Sequence, residues 1–347
     1  MVMIYLVINM PKRIGKSVIL LNSRPSIIGN AGVVGKKEGE GPLSQYFDKI
    51  FEDEFLGKDT FEKAESELIK EAVKSALVKA DLSPEDIDCC FSGDLLNQCI
   101  GSSFGLREFG IPFSGLYGAC STMALSLALA SSLIDSGALD TAVACTSSHF
   151  CSAERQYRTP LEYGGQRPPS AQWTVTGAGA SVLTTATPDF PRVNAVIFGK
   201  IRDLGITDAN NMGAAMAPAA AETISAFLNE TYTKPSDFDL ILTGDLGKVG
   251  SDILKELLIK ENNIDISDVH QDCGVLIYDA NTQDVHSGGS GCGCSASVVC
   301  SYIINKLHNK ELNRVLFVGT GALLSPTSSL QGESIPGIAH GVLLTSD

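Results

Sequence analysis

The pattern of apolar and polar residues occurs twice along the chain. Residues 84–95 read PEDIDCCFSGDL and residues 235–246 read PSDFDLILTGDL, without a gap between the two copies. Each is a short apolar run bounded by turn residues, which predicts a buried strand. Each also follows a stretch, residues 64–80 and 218–230, with apolar residues three and four positions apart, which predicts an amphipathic helix. The repeat therefore predicts two copies of a helix–turn–strand unit.

A second pair of segments, residues 118–148 and residues 291–321, also corresponds without gaps. Each reads as a glycine turn, a buried helix, a turn and a strand. The helix from Ser121 to about Ser136 consists almost wholly of small or apolar residues. This composition fits a helix held between two sheets, and the helix is too short for an ordinary membrane span. Gly137 is its expected C-terminal stop.

Two copies of one helix–strand–helix–strand plan predict an α/β fold made of two similar halves that pack tightly together. The pattern breaks at residues 185–195, so we assign residues 11–188 to one half and residues 189–347 to the other. Residues 1–10 read MVMIYLVINM. They are too few to cross a bilayer and we interpret them as an N-terminal extension, with an extra edge strand as the alternative. We expect a site where the strand ends of the two halves face each other.

The composition excludes several classes of protein. A chain of 347 residues that is 44% hydrophobic can bury a large core. A formal net charge of −14, without a run of lysine or arginine, disfavours nucleic-acid binding and unaided adsorption to anionic lipid. Ten cysteines without zinc-ligand spacing indicate a reducing compartment and no metal site. Neither a phosphate-binding loop nor a dinucleotide fingerprint is present, so we expect no cofactor.

The duplication, with a cysteine at the start of the first buried helix, resembles the thiolase and ketoacyl synthase superfamily. Within that superfamily the chain resembles the stage V sporulation protein AD family over nearly its whole length. The motifs that carry the likeness are SGDLLNQ at residues 92–98, GACST at 118–122, TSSH at 146–149, AERQYR at 153–158, EYGGQ at 162–166, DLGIT at 203–207, MAPAAAET at 216–223, GGSGC at 288–292 and TGALLSPT at 320–327.

This resemblance implies a thiolase-like five-layered αβαβα sandwich from two duplicated halves, a homodimer, and a role in the spores of endospore-forming bacteria. It also implies a protein that binds dipicolinic acid (pyridine-2,6-dicarboxylic acid), alone or as its calcium chelate. Membrane partners would move this ligand into the developing spore and out at germination. The protein is then expected at the spore inner membrane through those partners, without a transmembrane segment of its own.

Cys120 is expected where a strand ends and a helix begins, so backbone N–H groups and the helix dipole would favour its thiolate. Taken alone, a cysteine in an apolar stretch is more often an inert packing residue, but the GACST setting indicates a pocket. A condensing enzyme also needs a base or paired donors opposite the thiol. The superfamily supplies histidine or asparagine there. Residues 243–247, 287–294 and 317–321 read TGDLG, SGGSGCGC and FVGTG, and none of them contains histidine or asparagine. Residues 317–321 also lack the second cysteine of thiolases.

Few residues can replace the missing base. His149 ends a predicted strand and is the strongest candidate, with a histidine packed beneath a loop as an equal alternative. His286 precedes the glycine-rich loop and is a weaker candidate. Asp94 and Asp245 follow glycine at corresponding strand ends. They form a carboxylate pair in one interpretation and cap the following turns in the other, which we favour for Asp245.

A planar dicarboxylate needs hydrogen-bond donors for both of its ends. A glycine loop can offer backbone N–H groups, although a tight turn between layers explains the same glycines. An arginine of AERQYR can add charge, with Arg155 preferred to Arg158, unless this segment serves a dimer interface. The predicted ligand-binding residues are Cys120, Asp94, Asn97, Ser147, Ser148, His149, Arg155, Gly288, Gly289 and Ser290.

We therefore predict a non-catalytic ligand-binding protein. The alternative is an acyltransferase or ketoacyl synthase-like condensing enzyme in which Cys120 is the catalytic residue. A scaffold with a vestigial pocket is a third reading.

Overall fold

The computed structural model describes residues 12–157 and 167–346. Within these ranges the strands are β1 (Lys12–Ile14), β2 (Val18–Leu20), β3 (Ser26–Gly35), β4 (Lys49–Phe51), β5 (Cys89–Gly93), β6 (Phe113–Gly115), β7 (Thr141–Ser148), β8 (Trp173–Thr174), β9 (Gly177–Thr184), β10 (Arg192–Ile197), β11 (Leu240–Thr243), β12 (His270–Asp272), β13 (Gly289–Ser290), β14 (Arg314–Ala322) and β15 (Gly337–Thr345).

The helices of the same ranges are α1 (Lys36–Gly39), α2 (Phe61–Ala80), α3 (Ile100–Leu106), α4 (Thr122–Asp135), α5 (Phe150–Tyr157), α6 (Met212–Thr231), α7 (Gly247–Asn262), α8 (Cys273–Leu276), α9 (Cys292–Val298), α10 (Ile304–His308) and α11 (Pro326–Leu330). The predictions for residues 1–10, for Arg158 and for the motif at residues 162–166 lie outside the described residues.

The strands form two five-stranded arrays with matching internal order. The first array runs β6-β5-β7-β9-β3 and the second runs β12-β11-β14-β15-β10. The second and third strands of each array are parallel, β5 with β7 and β11 with β14. The third and fourth strands are antiparallel, β7 with β9 and β14 with β15. The arrays meet where Arg192 of β10 pairs with Ser26 of β3. This duplicated topology confirms the α/β fold that the sequence repeat predicts.

Helices fill the space between the arrays and cover their outer faces. The almost wholly buried α4 contacts β5 and β7 of the first array and β14 and β15 of the second. Beside it, α9 continues through a π-helical turn at Val299–Ile303 into α10. On the outside, α2 packs against β3 and β9, and α6 packs against β14 and β15. The result is the five-layered sandwich that the resemblance implies.

The central helix begins and ends close to its predicted bounds. It spans Thr122–Asp135, one residue inside the prediction at each end. Gly137 follows with φ of +73°, the left-handed conformation that glycine adopts without a side-chain clash. Its N–H donates to the Ile134 carbonyl, which closes the last turn.

The helix predicted over residues 218–230 begins earlier than expected. It starts at Met212 because the Asn211 side chain caps it by accepting a hydrogen bond from the Ala214 N–H at 3.3 Å. Pro218 therefore lies inside the helix. Proline is typical of a first helical turn, which is why the pattern placed the start too late.

None of the helices within residues 12–157 and 167–346 combines the length and the apolar character needed to cross a membrane.

Candidate ligand-binding site

Cys120 lies in the turn Ala119–Ser121 that leads directly into α4. Ala119, immediately before it, has φ of +50°, a conformation that is strained for a residue with a side chain. Such strain is typical of functional sites, where the surrounding structure fixes an unfavourable backbone. The turn directs the Cys120 side chain, which is 5% exposed, into a cavity between the two halves.

This cavity has a volume of about 40 Å³. Sites for small molecules usually enclose about 300–1,000 Å³. A ring-sized ligand therefore enters only when lining side chains move. Both halves supply the walls, which are formed by Leu95, Ala119, Cys120, Ala153, Glu154, Tyr157, Thr174, Met212, Ser290, Ala322 and Leu324.

A larger cleft of about 490 Å³ lies on the surface between α2 and α3. Its rim carries lysines and glutamates that pair with each other, as Lys58 does with Glu67 at 3.0 Å and Lys70 does with Glu108. Volume alone does not identify the site, because a cleft around β6 is larger still, at about 780 Å³. We assign it to the smaller cavity because buried polar groups from both halves converge only on Cys120 among the described clefts.

A buried carboxylate, that of Asp245 after β11, lies beneath Cys120. Its Oδ1 accepts a hydrogen bond from Thr320 Oγ1 at 2.8 Å. Its Oδ2 accepts from Ser290 Oγ at 3.1 Å and from the Gly291 N–H at 2.9 Å. The Cys120 thiol is a neighbour of the same carboxylate. Asp245 thus ties the glycine loop to β14 next to the cysteine turn.

Our interpretation of Asp245 as a helix cap is wrong. Asp272, at the end of β12, takes that role: its carboxylate accepts from the Leu246 N–H at 2.9 Å and from the Gly247 N–H at 3.0 Å, at the start of α7. Asp245 is free to face Cys120 because Asp272 satisfies these backbone donors. The sequence did contain a signal, since Asp245 lies in the loop where related synthases place a histidine.

The thiol of Cys120 is held in its neutral form. Burial raises the pKa of Cys120 well above its ordinary value, and the negative charge of Asp245 raises it further. Burial also raises the pKa of Asp245. The expectation that the helix start favours the thiolate is therefore wrong, because desolvation and a facing carboxylate outweigh the helix dipole. Cys120 is therefore a neutral thiol here rather than a prepared nucleophile.

His149 is packed beneath a loop, the alternative that the sequence left open. Its Nδ1 accepts a hydrogen bond from the Cys151 N–H at 3.2 Å, which assigns the proton to Nε2, and Nε2 donates to the Glu54 carbonyl at 2.8 Å. The ring packs against Phe61. Burial lowers the pKa of His149. Both ring nitrogens are engaged, and His149 does not line the cavity.

Asp94 caps a helix and does not reach the cavity. Its Oδ1 accepts from the Leu96 N–H at 2.8 Å, and its Oδ2 accepts from both the N–H and the Oγ of Ser102 at 2.7 Å. These donors lie just before α3 and in its first turn. Burial raises the pKa of Asp94. The structure thus separates Asp94 from Asp245, so the two do not form a carboxylate pair.

Ser147 and Ser148 hold the packing behind the cavity. Ser147 Oγ donates to the buried Glu65 carboxylate of α2 at 3.4 Å. Ser148 Oγ donates to the Val175 carbonyl at 2.7 Å and accepts from the Gly293 N–H at 3.0 Å. Neither serine lines the cavity.

Asn97 and Arg155 lie nearer the surface. Asn97 Oδ1 accepts from Tyr117 Oη at 3.3 Å and from Gln156 Nε2 at 3.4 Å. Arg155, whose side chain is 59% exposed, pairs with Glu62 of α2. The structure brings neither of them to the cavity.

The glycine loop contributes one side chain to the cavity, that of Ser290. Its carbonyl groups hold the layers together: Gly288 accepts from the Trp173 N–H at 2.9 Å and Gly289 accepts from Gln172 Nε2 at 2.8 Å. This pairing of β13 with β8 also brings Thr174 into the cavity wall. The loop is therefore both a tight interlayer turn and part of the site.

Several cavity residues were not predicted. Tyr157 donates its hydroxyl to the Leu95 carbonyl, and Glu154 forms an ion pair with Arg167 at 3.1 Å. The available signal was their position in the AERQYR motif, where we singled out the arginines instead. Met212 had no signal, because it was predicted to precede its helix.

All ten cysteines are free thiols. In the described part of the chain no group of three or more histidine, cysteine, aspartate or glutamate side chains is arranged to hold a metal ion.

Known proteins resemble this chain at two levels. A family model described as stage V sporulation protein AD matches residues 15–345. Stage V sporulation protein AD of Bacillus subtilis (strain 168) is 48% identical over 320 residues, which cover 92% of this chain and 94% of that protein.

The similar solved structures are more distant in sequence. A crystal structure of OleA from Xanthomonas campestris is 15% identical, has a TM-score of 0.60, and matches 94% of this chain and 99% of that one. The 3-oxoacyl-[acyl-carrier-protein] synthase III of Aquifex aeolicus VF5 is 14% identical, has a TM-score of 0.56, and matches 92% of this chain and 99% of that one. These likenesses show a thiolase-like fold.

Proposed function

The chain belongs to the stage V sporulation protein AD family, a family of sporulation proteins, and we propose that its Cys120 cavity binds dipicolinic acid without covalent chemistry. In this proposal the protein holds the ligand, free or as its calcium chelate, for uptake into developing spores and for release at germination. It acts beside membrane proteins at the spore inner membrane and is not an enzyme.

One observation carries this proposal: the buried Cys120 thiol faces the buried Asp245 carboxylate, whose negative charge raises the pKa of the thiol. Condensation needs a thiolate nucleophile and a base or donor set at the same place. Burial and Asp245 keep the thiol neutral, and no histidine of the described residues lines the cavity. What remains is a set of hydrogen-bonding groups suited to recognition.

The cavity wall offers hydroxyl groups that suit a carboxylate ligand. Thr174, Tyr157 and Ser290 each place a hydroxyl-bearing side chain in it, and a hydroxyl can rotate to donate to a new acceptor. Arg167, paired with Glu154, stands behind the same wall. Met212 has a flexible, unbranched side chain, so its movement is the easiest way to enlarge the cavity.

Calorimetry with purified protein tests the proposal. We expect saturable binding of pyridine-2,6-dicarboxylate, and weaker binding by Thr174→Val, which keeps the shape of the side chain and removes its hydroxyl. Benzene-1,3-dicarboxylate is the matched control ligand, because it keeps both carboxylates and lacks the ring nitrogen. Absence of saturable binding by a folded sample would reject the proposed function.

The acyltransferase alternative has one observation in its favour, the strained Ala119 backbone immediately before Cys120. Incubation with acyl thioesters, followed by intact mass measurement, separates the two functions. A mass increase that is lost in Cys120→Ala would support the enzyme. A binding protein stays unmodified.

We also propose that the protein forms a homodimer through β6. This strand ends the first array, so its outer backbone groups have no strand partner among residues 12–157 and 167–346. Large apolar side chains surround it: Phe104 is 56% exposed, Phe113 is 42% exposed and Tyr117 is 55% exposed. A second copy related by a twofold axis would pair the two edges and cover these side chains on both copies.

Sedimentation of the purified protein tests the dimer. We expect Phe113→Asp and Phe104→Asp to shift it toward the monomer. Leu330→Asp is the matched control, because Leu330 is 89% exposed and lies on the second half. A wild-type monomer at micromolar concentration would contradict this interface.

A further inference from the structure

The connection between β12 and the glycine loop, residues 272–290, is held by a buried carboxylate at its start. Asp272 Oδ2 accepts a hydrogen bond from Thr243 Oγ1 at 2.6 Å, in addition to the backbone donors of α7. Among the described residues no lysine or arginine forms an ion pair with Asp272. Burial without a cationic partner favours the protonated carboxyl, whereas these hydrogen bonds favour the carboxylate, and burial has the larger effect on the pKa of Asp272.

A second buried carboxylate, Glu38 of α1, holds the same connection six residues further on. Glu38 Oε1 accepts from the Tyr278 hydroxyl and from the Thr176 N–H at 3.0 Å. Through these bonds Glu38 links α1 to the segment just after α8 and to the short connection between β8 and β9. The nearest cation that acts on Glu38 is Lys37, whose ammonium lies over the ring of Trp173.

The Asp272 carboxyl is joined through the Thr243 hydroxyl to the imidazole of His270. Thr243 Oγ1 lies 2.6 Å from Asp272 Oδ2 and 2.9 Å from Nε2 of the half-buried His270. When Asp272 is ionised, the hydroxyl donates to it and accepts from the imidazole. When Asp272 is protonated, the hydroxyl accepts from it and donates to the imidazole, so both states keep their hydrogen bonds.

Both carboxyl groups titrate near neutral pH. Burial raises the pKa of Asp272 to about 7 and that of Glu38 to about 7. In an unfolded chain their pKa values are about 4, so the folded protein binds these protons more tightly. The stability contributed by these groups is therefore fully present below about pH 4 and is lost as the pH rises through about 7.

Other titratable groups around the two carboxyls do not offset their charge. Asp245 faces Asp272 and raises its pKa further. The Cys273 and Cys294 thiols near Asp272 stay neutral, because burial raises the pKa of both. Burial likewise keeps the Tyr278 phenol neutral beside Glu38.

We propose that residues 272–290 form a pH-sensitive latch beside the ligand cavity, closed in mildly acidic solution and loosened in mildly alkaline solution. Above neutral pH the two ionised carboxylates favour any opening that hydrates them. The connection ends at Ser290, which lines the cavity and donates to Asp245, so opening disturbs the cavity wall. Only the effect on ligand retention rests on the proposed function.

Hydrogen exchange read by mass spectrometry tests the latch in the full chain without any ligand. The exchange rate of a peptide covering residues 273–278 is measured at each pH and divided by the intrinsic chemical exchange rate at that pH. The ratio is the opening constant. We expect the opening constant to rise about tenfold between pH 6 and pH 8 for each carboxyl that becomes hydrated. A peptide from α2 reports global unfolding, and pH-independent protection of residues 273–278 would overturn the proposal.

Neutral variants sharpen this test. Glu38→Gln and Asp272→Asn imitate the protonated side chains. Each should reduce the pH dependence of the opening constant, and the double variant should abolish it. Asp284→Asn is the matched control, because its side chain is 88% exposed within the same connection and should leave the dependence intact. If Asp272→Asn does not fold, the opening constants of Glu38→Gln and of the wild type as a function of pH still test the latch.

Ligand release then links the latch to the site. We expect dipicolinate to dissociate several-fold faster at pH 8 than at pH 6 from the wild type, and at similar rates from the double neutral variant. Equal wild-type rates at both pH values would contradict a latch that acts on the cavity. No binding at either pH would reject the proposed function, while the exchange experiment would still judge the latch.

Discussion

The two halves carry the same Gly-Asp-Leu sequence at the same strand end and use the aspartate differently. Asp94, after β5, turns toward the start of α3 and satisfies its backbone donors. Asp245, after β11, turns toward Cys120 and the glycine loop. The next pair of equivalent residues diverges likewise: Ser147 donates to Glu65, whereas Thr320 donates to Asp245.

This difference teaches that the cavity is built asymmetrically from a symmetric fold. His149 and Ala322 are equivalent in the second repeat, but only Ala322 lines the cavity. The first half supplies the cysteine turn and α5, and the second half supplies the buried carboxylate and the loops that hold it. A duplicated chain thereby gains one site at the junction of its halves rather than two.

The largest effect is expected from removing the structural aspartate. Asp94→Ala leaves the Leu96 N–H and both donors of Ser102 buried without an acceptor, each at a cost of about 1–3 kcal/mol. We expect the free energy of unfolding to fall by about 3 kcal/mol or more, measured with urea. Ligand affinity of the folded fraction should not change. A loss below about 1 kcal/mol would show that Asp94 is not a structural cap.

The site aspartate should instead control the reactivity of the thiol. Asp245→Asn removes the negative charge beside Cys120, so the pKa of the thiol should fall and its alkylation by iodoacetamide should accelerate about tenfold for each pKa unit. Peptide mass spectrometry at several pH values measures this rate. Asp94→Asn is the matched control and should leave the alkylation rate of Cys120 unchanged. Equal rates for the two variants would contradict a special role of Asp245 beside the thiol.

Substitution of the cysteine itself should have a smaller effect. Cys120→Ser keeps a small polar side chain in the cavity wall, so we expect dipicolinate affinity to change by less than about threefold. Cys120→Ala removes the polar hydrogen that could contact the ligand, so we expect a loss equal to one hydrogen bond of about 1 kcal/mol, or about fivefold in affinity. Calorimetry measures both. Complete loss of binding in Cys120→Ser would indicate that the thiol reacts with the ligand.

The smallest effect is expected from the histidine that the sequence favoured. His149→Gln should leave dipicolinate affinity within twofold of the wild type, because the imidazole bonds a loop carbonyl and does not line the cavity. Direct titration checks this, with a melting curve to confirm folding. A tenfold weaker affinity in a folded variant would show that His149 contributes to ligand binding.

The contrast between the two aspartates also explains what the sequence could predict. Strands and helices follow from local apolar periodicity, so the duplicated elements were found, and α4 within one residue at each end. The partners of Asp94 lie two and eight residues away, within reach of a capping argument. Two partners of Asp245 lie 45 and 75 residues away, and only the packed fold brings them together.

Side-chain direction was the hardest feature to predict. The resemblance indicated Cys120 and the glycine loop, and the structure places Cys120 and Ser290 together at the cavity. The resemblance gave no information on whether the serines at the end of β7 face the cavity or the layer behind it. That choice depends on Glu65 and Val175, residues far from Ser147 and Ser148 in the chain.

A crystal structure with bound pyridine-2,6-dicarboxylate tests the central claim most directly. We predict that the ligand lies in an enlarged cavity between Cys120, Tyr157 and Ser290, with Met212 displaced and the Cys120 sulfur not bonded to the ligand. Ligand seated in the cleft between α2 and α3, or continuous density from the Cys120 sulfur to the ligand, would contradict it.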